Sequence, residues 1–160
     1  MRPGRERGFT YLGLLLIVAA MGAGMAAFGE LASQAARREK ETELLFVGDA
    51  YRNAIGQYYE SSPAGNKRYP QKLDALLRDE RFVFTRRYLR RLYADPVTGK
   101  EWATVQAPDG GIMGVYSKSE ASPAKSGNFP PGYEAFTDAR RYADWQFVYS
   151  QPAAGPTASK

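Results

Sequence analysis

The reading turns on residues 9–29, FTYLGLLLIVAAMGAGMAAFG. These 21 residues carry no charge. At about 1.5 Å per residue a helix through them is roughly 32 Å long, close to the hydrocarbon thickness of a bilayer. The stretch is therefore expected to be a membrane-spanning helix. Ahead of it stands MRPGRERG, where Arg2, Arg5 and Arg7 outweigh Glu6. Positive residues just before an apolar span predict that this stub stays in the cytoplasm while the rest of the chain crosses. Everything after the span reads as a soluble domain, placed by that rule on the outer face.

A length of 160 residues supports one modest domain besides the apolar segment. Cysteine and histidine are both absent. That excludes disulfides, thiolate metal sites, the usual zinc sites, and Ser-His-Asp or Cys-His nucleophilic chemistry. The net charge of +5 is mild and partly owed to the stub.

Within the N-terminal dozen residues, a short basic leader, Gly8, and then Phe9-Thr10-Tyr11-Leu12 opening the apolar run resemble the class III leader of type IV pilins and type II secretion pseudopilins. The resemblance implies that a prepilin peptidase cuts between Gly8 and Phe9 and methylates Phe9, so that the span is kept. It further implies a subunit held in a bacterial inner membrane, N-terminus cytoplasmic and domain periplasmic. Its partners would be sibling subunits, an inner-membrane assembly platform and membrane lipid. The fifth residue after the cut is Gly13, where the family usually has a glutamate that pairs with a neighbour's N-terminal amine; a minor pseudopilin at the filament tip also lacks it. A second reading has ordinary signal peptidase cut near Gly24, Met25 and Ala26, with residues 12–18 as the apolar core.

Small residues recur at four-residue spacing in the span, at Ala19, Ala23 and Ala27 and at Ala20 and Gly24. Such stripes let helix backbones approach closely, although glycine and alanine are also simply common in membrane helices. Gly22, Gly24 and Gly29 leave room for local unwinding.

Residues 30–60 lack proline, and Leu44, Val47, Tyr51, Ile55 and Tyr58 fall on one helical face. The helix is expected to continue to Glu60, for a rod of roughly 78 Å, and to dock that face on the domain. Arg37, Arg38, Glu39, Lys40, Glu41 and Glu43 read as a solvated face, with Glu39 and Glu43 placing like charges together. Ser61-Ser62-Pro63-Ala64-Gly65 stops the helix.

A short helical segment is expected over residues 71–78, with Leu73, Leu76 and Leu77 inward. Next, Thr85-Arg86-Arg87-Tyr88-Leu89-Arg90-Arg91-Leu92-Tyr93 reads as a helix. Arg86/Arg90 and Arg87/Arg91 would share faces while Tyr88, Leu89 and Leu92 turn inward. These four arginines are candidates for contacts between domains, or for nucleic acid, the less favoured partner. Asp95-Pro96-Val97-Thr98-Gly99-Lys100 is a turn-rich loop. Strand-like residues 101–106, the turn Pro108-Asp109-Gly110-Gly111 and residues 112–117 make a β-hairpin, with Ile112, Gly114 and Tyr116 on one face. Alternation in residues 145–150 predicts a third strand. Residues 69–117 resemble the major secretion pseudopilin domain.

The major pseudopilins bind calcium near the C-terminus, but residues 118–132 here offer one acid, Glu120, beside Lys118 and Lys125. Calcium prefers several anionic oxygens, so no metal or other cofactor is expected. Asn128, Pro130, Pro131 and Gly132 suggest a fixed, irregular loop.

The fold expected is α+β and pilin-like: a long N-terminal helix, transmembrane in its first half, packed on a small antiparallel sheet. Its parts are a leader (1–8), a span (9–29), a periplasmic domain (30–150) and a disordered tail (151–160). The leading function is a non-enzymatic structural subunit of a secretion or pilus-like filament. The alternatives are a tethered module for DNA uptake or adhesion, and a carboxylate enzyme using Asp74, Asp95 or Asp144. Ordinary turn and surface roles account for Asp74 and Asp95.

Overall fold

The computed structural model describes residues 7–63 and 66–150, with the backbone alone for 7–10 and 22–32. Most of the leader and the tail 151–160 lie outside the described residues, as do the side chains of much of the expected span. Contacts divide the chain into two units, Met1–Glu39 and Lys40–Lys160. The architecture is α+β.

The helix α1 (Arg7–Glu60) belongs to the first unit up to Glu39. It runs unbroken through Gly22, Gly24 and Gly29, so the unwinding that those glycines leave room for does not occur. Alanine, leucine and methionine around them are strong helix formers and outweigh about 1 kcal/mol per glycine. Among the described residues, no helix is long and apolar enough to cross a membrane; the stretch 22–29, needed to complete the expected span, lies outside the side chains described.

In the second unit, α1 buries the expected face: Leu44, Val47, Tyr51, Ile55 and Tyr58 are all in the core. The expected stop also holds, with Ser61 in a turn directly after Glu60. The face packs on an antiparallel sheet of three strands in the order β1 (Ala103–Gln106), β2 (Ile112–Tyr116), β3 (Gln146–Val148). Helix and sheet meet closely at Gly48, where a Cβ would stand 2.5 Å from ring carbons of the fully buried Phe147. Glycine is the residue that permits this approach.

The β1–β2 turn is built at Asp109 and Gly110. Gly110 has φ +82°, and Asp109 Oδ1 accepts the Gly111 N–H at 3.0 Å. The register slips between Val105 and Gln106, which pair with Gly114 and Ile112. This bulge leaves Met113 unpaired on that side and breaks the two-residue alternation. As a result Ile112 and Val115, from opposite faces of a regular strand, are both buried, whereas Tyr116 is only half-buried.

The expected helix over 85–93 is absent; the segment is bent and irregular. Its backbone groups are committed elsewhere. The N–H groups of Tyr88 and Leu89 both donate to Leu76 O, and Arg86 O accepts the Asp79 N–H. Helical bonds in the segment would have to give these up. Tyr88 and Leu89 do turn inward, but Leu92 is exposed. The segment expected over 71–78 shortens to a single 3-10 turn, Leu73–Leu76, with Leu76 buried. One side chain anchors the irregular stretch: the Tyr51 hydroxyl donates to Tyr93 O at 3.0 Å and accepts Tyr93 N–H at 2.9 Å. Trp102 Nε1 donates to the same carbonyl at 3.1 Å.

Residues 118–145 carry two more 3-10 turns, Glu134–Asp138 and Tyr142–Asp144. Phe136 stacks on Trp145 with centroids 5.4 Å apart, and Phe129 and Tyr142 meet Trp145 edge-on. Such ring pairs add about 0.5–1.5 kcal/mol beyond the area they bury.

Candidate functional site: apolar and basic surfaces for assembly

In the first unit, the side chains of α1 over residues 11–21 are apolar on every side. Tyr11, Leu12, Leu14, Leu15, Leu16, Ile17, Val18 and Met21 are between 49% and 68% exposed. Helices that are apolar all round belong inside something, a large core or a membrane. Gly13 lies in this stretch, and a Cβ there would meet nothing within 4 Å. Ala19 and Ala20 are exposed. Gly8 and Phe9 are helical in backbone, while the side chains of Phe9, Ala23 and Ala27, and the surroundings of Gly24, lie outside the description.

In the second unit the four candidate arginines, Arg86, Arg87, Arg90 and Arg91, are all exposed. They do not form two helical pairs, because the segment is not helical. Arg86 lies over the Phe82 ring at 4.1 Å and Arg91 over Tyr93 at 4.9 Å. Among the described residues none of the four is in an ion pair with an acid. Beside Arg86, Val83 is 100% and Phe84 85% exposed.

This tip is rooted by a different arginine, which sequence reading did not single out. Arg81 Nε donates to Asp79 Oδ1 at 2.8 Å and its Nη2 to Asp79 Oδ2 at 2.6 Å; a further bond goes to Ser62 Oγ. Its guanidinium lies 3.6 Å from the centroid of the Tyr58 ring. Burial alone would raise the Asp79 carboxyl, but bonds from Arg81 and the Tyr88 hydroxyl prevail and hold it below its ordinary value. The Arg81 signal was hidden because it pairs two residues away in sequence, a spacing at which side chains on a helix do not face each other.

The solvated face expected over 37–43 needs one correction. Glu41 is buried, 3% exposed. Its Oε1 accepts the Ala124 N–H at 2.5 Å, the Lys125 N–H at 3.2 Å and the Tyr142 hydroxyl at 2.9 Å. A carboxylate with such partners can be buried at tolerable cost. Thus α1 itself supplies the acid that fixes the 118–132 loop, which contains only one.

The three carboxylates weighed as catalytic groups are structurally occupied or exposed. Asp95 is fully buried. It accepts the Val97 N–H at 2.9 Å and the Thr98 and Ser117 hydroxyls at 2.6 Å and 2.7 Å. Asp144 caps the turn at Arg141, whose guanidinium holds its carboxyl below the usual range. Asp74 is exposed. Among the described residues no group of three or more acidic side chains is placed to hold a metal ion.

Compared with protein-family models, with curated proteins and with solved structures, the chain matches none.

Proposed function

We propose that the chain is a structural subunit of a pseudopilus or related filament of the type II secretion or type IV pilus-like class. In this reading a prepilin peptidase cuts between Gly8 and Phe9, residues 9–29 store the subunit in the inner membrane, and polymerisation exchanges lipid for neighbouring helices. The work is mechanical and needs no cofactor. The observation that carries the reading is the exposed, charge-free helical stretch from Tyr11 to Met21. At about 25 cal/mol per Å² of apolar surface, leaving so many large side chains in water is strongly unfavourable, so they require a lipid or protein environment. The occupied state of Asp95 and Asp144 supports a non-enzymatic role.

N-terminal mass spectrometry of the membrane-extracted protein tests this. A methylated Phe9 is the expected result; an N-terminus near Ala27 overturns it. The open surroundings of Gly13 give a second test, because Gly13→Glu fits the isolated chain without a clash. Altered assembly is expected if the missing glutamate marks a non-standard subunit, and unchanged assembly counts against that part of the proposal.

The exposed arginine cluster supports a second reading, a tethered module that binds DNA. Its signature is binding that weakens steeply with salt and is lost in an Arg86→Ala, Arg90→Ala double variant that still assembles.

A further inference from the structure

Four large apolar side chains of the second unit remain exposed among the described residues: Phe46, Val83, Phe84 and Leu92. Its other aromatic residues are largely gathered into the core or packed against it. Phe46 is 70% exposed on α1, off the buried face that Leu44 and Val47 define. The charges nearest the two principal patches differ in sign. Val83 and Phe84 are followed by exposed Arg86 and Arg87. Phe46 is flanked one turn away on either side by acids, Glu43 and Asp49, and the Asp49 side chain keeps 44% of its exposure. Nearby cations are Arg52, 3.7 Å from Asp49, and Arg91, which lines with Glu43 and Leu92 an open cleft of about 370 Å³.

Neither patch suits a two-fold contact with itself. Across a symmetry axis the tip would set Arg86 and Arg87 against their own copies, and the Phe46 patch would do the same with Glu43 and Asp49. Each patch fits the other. A contact between different surfaces of identical chains gives a ring where its rotation closes and an open helical array where it does not, and the filament reading takes the second case.

We propose that the Val83–Phe84 tip of one copy docks on Phe46 of the next, with Arg86 and Arg87 meeting Glu43 and Asp49. This deepens, and rests on, the filament reading. The rooted base of the tip, Arg81 on Asp79 and Tyr58, holds the knob out from the domain ready for docking, which lowers the ordering cost of the contact.

The chain contains no cysteine, so introduced pairs report without background. Phe46→Cys and Val83→Cys, carried on two differently tagged full-length chains in one membrane, are oxidised and the products sized. A disulfide requires Cα atoms within about 7 Å. The expected result is a mixed dimer several-fold above either self-pair, lost on Arg86→Glu with Arg87→Glu and partly regained when Glu43→Lys is added. Both cysteine sites are exposed, so folding is not at stake. Ala20→Cys, in the first helical stretch, serves as the reference for polymer contacts. If Ala20→Cys cross-links and the mixed pair does not, or if Val83→Cys pairs mainly with itself, the docking contact is refuted while the filament stands. If neither cross-links, both fail.

Discussion

The Tyr142 hydroxyl donates to Glu41 Oε1 at 2.9 Å, joining a turn of the C-terminal half to α1 across 101 positions of sequence. The same oxygen receives the Ala124 and Lys125 N–H groups, so one carboxylate serves three donors. Glu41→Ala would strand them. Loss of about 2–3 kcal/mol is expected in denaturant unfolding, since hydrogen bonds to a charged group contribute roughly 1.5–3 kcal/mol and stranded donors add a desolvation penalty. Amide exchange at 124 and 125 should accelerate more than in the sheet. Unchanged protection there would show that the loop is held by other means.

Gly48→Ala sets a methyl against the Phe147 ring, at a Cβ distance of 2.5 Å. Overpacking in a filled core costs about 1–3 kcal/mol, against a helix-propensity gain of at most about 1 kcal/mol. A net loss of roughly 1–2 kcal/mol is expected in thermal or denaturant melts, with restoration by Phe147→Leu in the double variant. A Gly48→Ala protein more stable than the parent contradicts the packing described.

Acid should loosen the root of the 82–87 tip. Asp79 has a folded-state pKa below its ordinary 3.8, so between the two values the unfolded chain binds more protons than the folded one. Its contribution is complete above about 3.8 and disappears as pH falls through the lower, folded-state value. Asp79→Asn should therefore flatten the stability profile in that acid window, as followed by tryptophan fluorescence in urea at stepped pH. An unaltered profile would place the acid sensitivity in other carboxylates.

Alkali acts in the opposite sense on Tyr133. Burial and the bond from its hydroxyl to Asp49 Oδ1 raise this phenol to about 12 from 10.0. The folded state keeps a proton that the unfolded chain has lost, so the stabilisation is whole below about 10 and declines as pH climbs towards 12. Phenolate absorbance should show a late-titrating tyrosine that Tyr133→Phe removes, and the variant should lose less stability than the parent over that interval. Tyr149, also raised to about 12 beside Glu60, should remain as a second late component.

The sequence made legible what periodicity and turn chemistry encode. The buried face Leu44–Val47–Tyr51–Ile55–Tyr58, the stop after Glu60, the hairpin at Asp109-Gly110 and the third strand around Phe147 all follow from local pattern. Long-range hydrogen bonds overrode that pattern elsewhere. Arg86/Arg90 spacing suggested a helix, but Leu76 and Asp79 claim the backbone of that segment. Glu41 looked like one more surface charge, because its partners lie at 124, 125 and 142. The aromatic cluster of Phe129, Phe136 and Trp145 was also missed; rings spaced without strand or helix periodicity give no signal until the turns between them are known.

Tyr51 clamps both backbone groups of Tyr93 with one hydroxyl, so the chain is fastened there by a peg and not by a ladder. A ladder transmits any insertion to its whole length, whereas a peg absorbs it locally. The stretch between the Leu76 attachment and Tyr93 is thus the part of the domain where length can drift over evolutionary time, and a residue added after Arg90 should leave the sheet and its turn undisturbed.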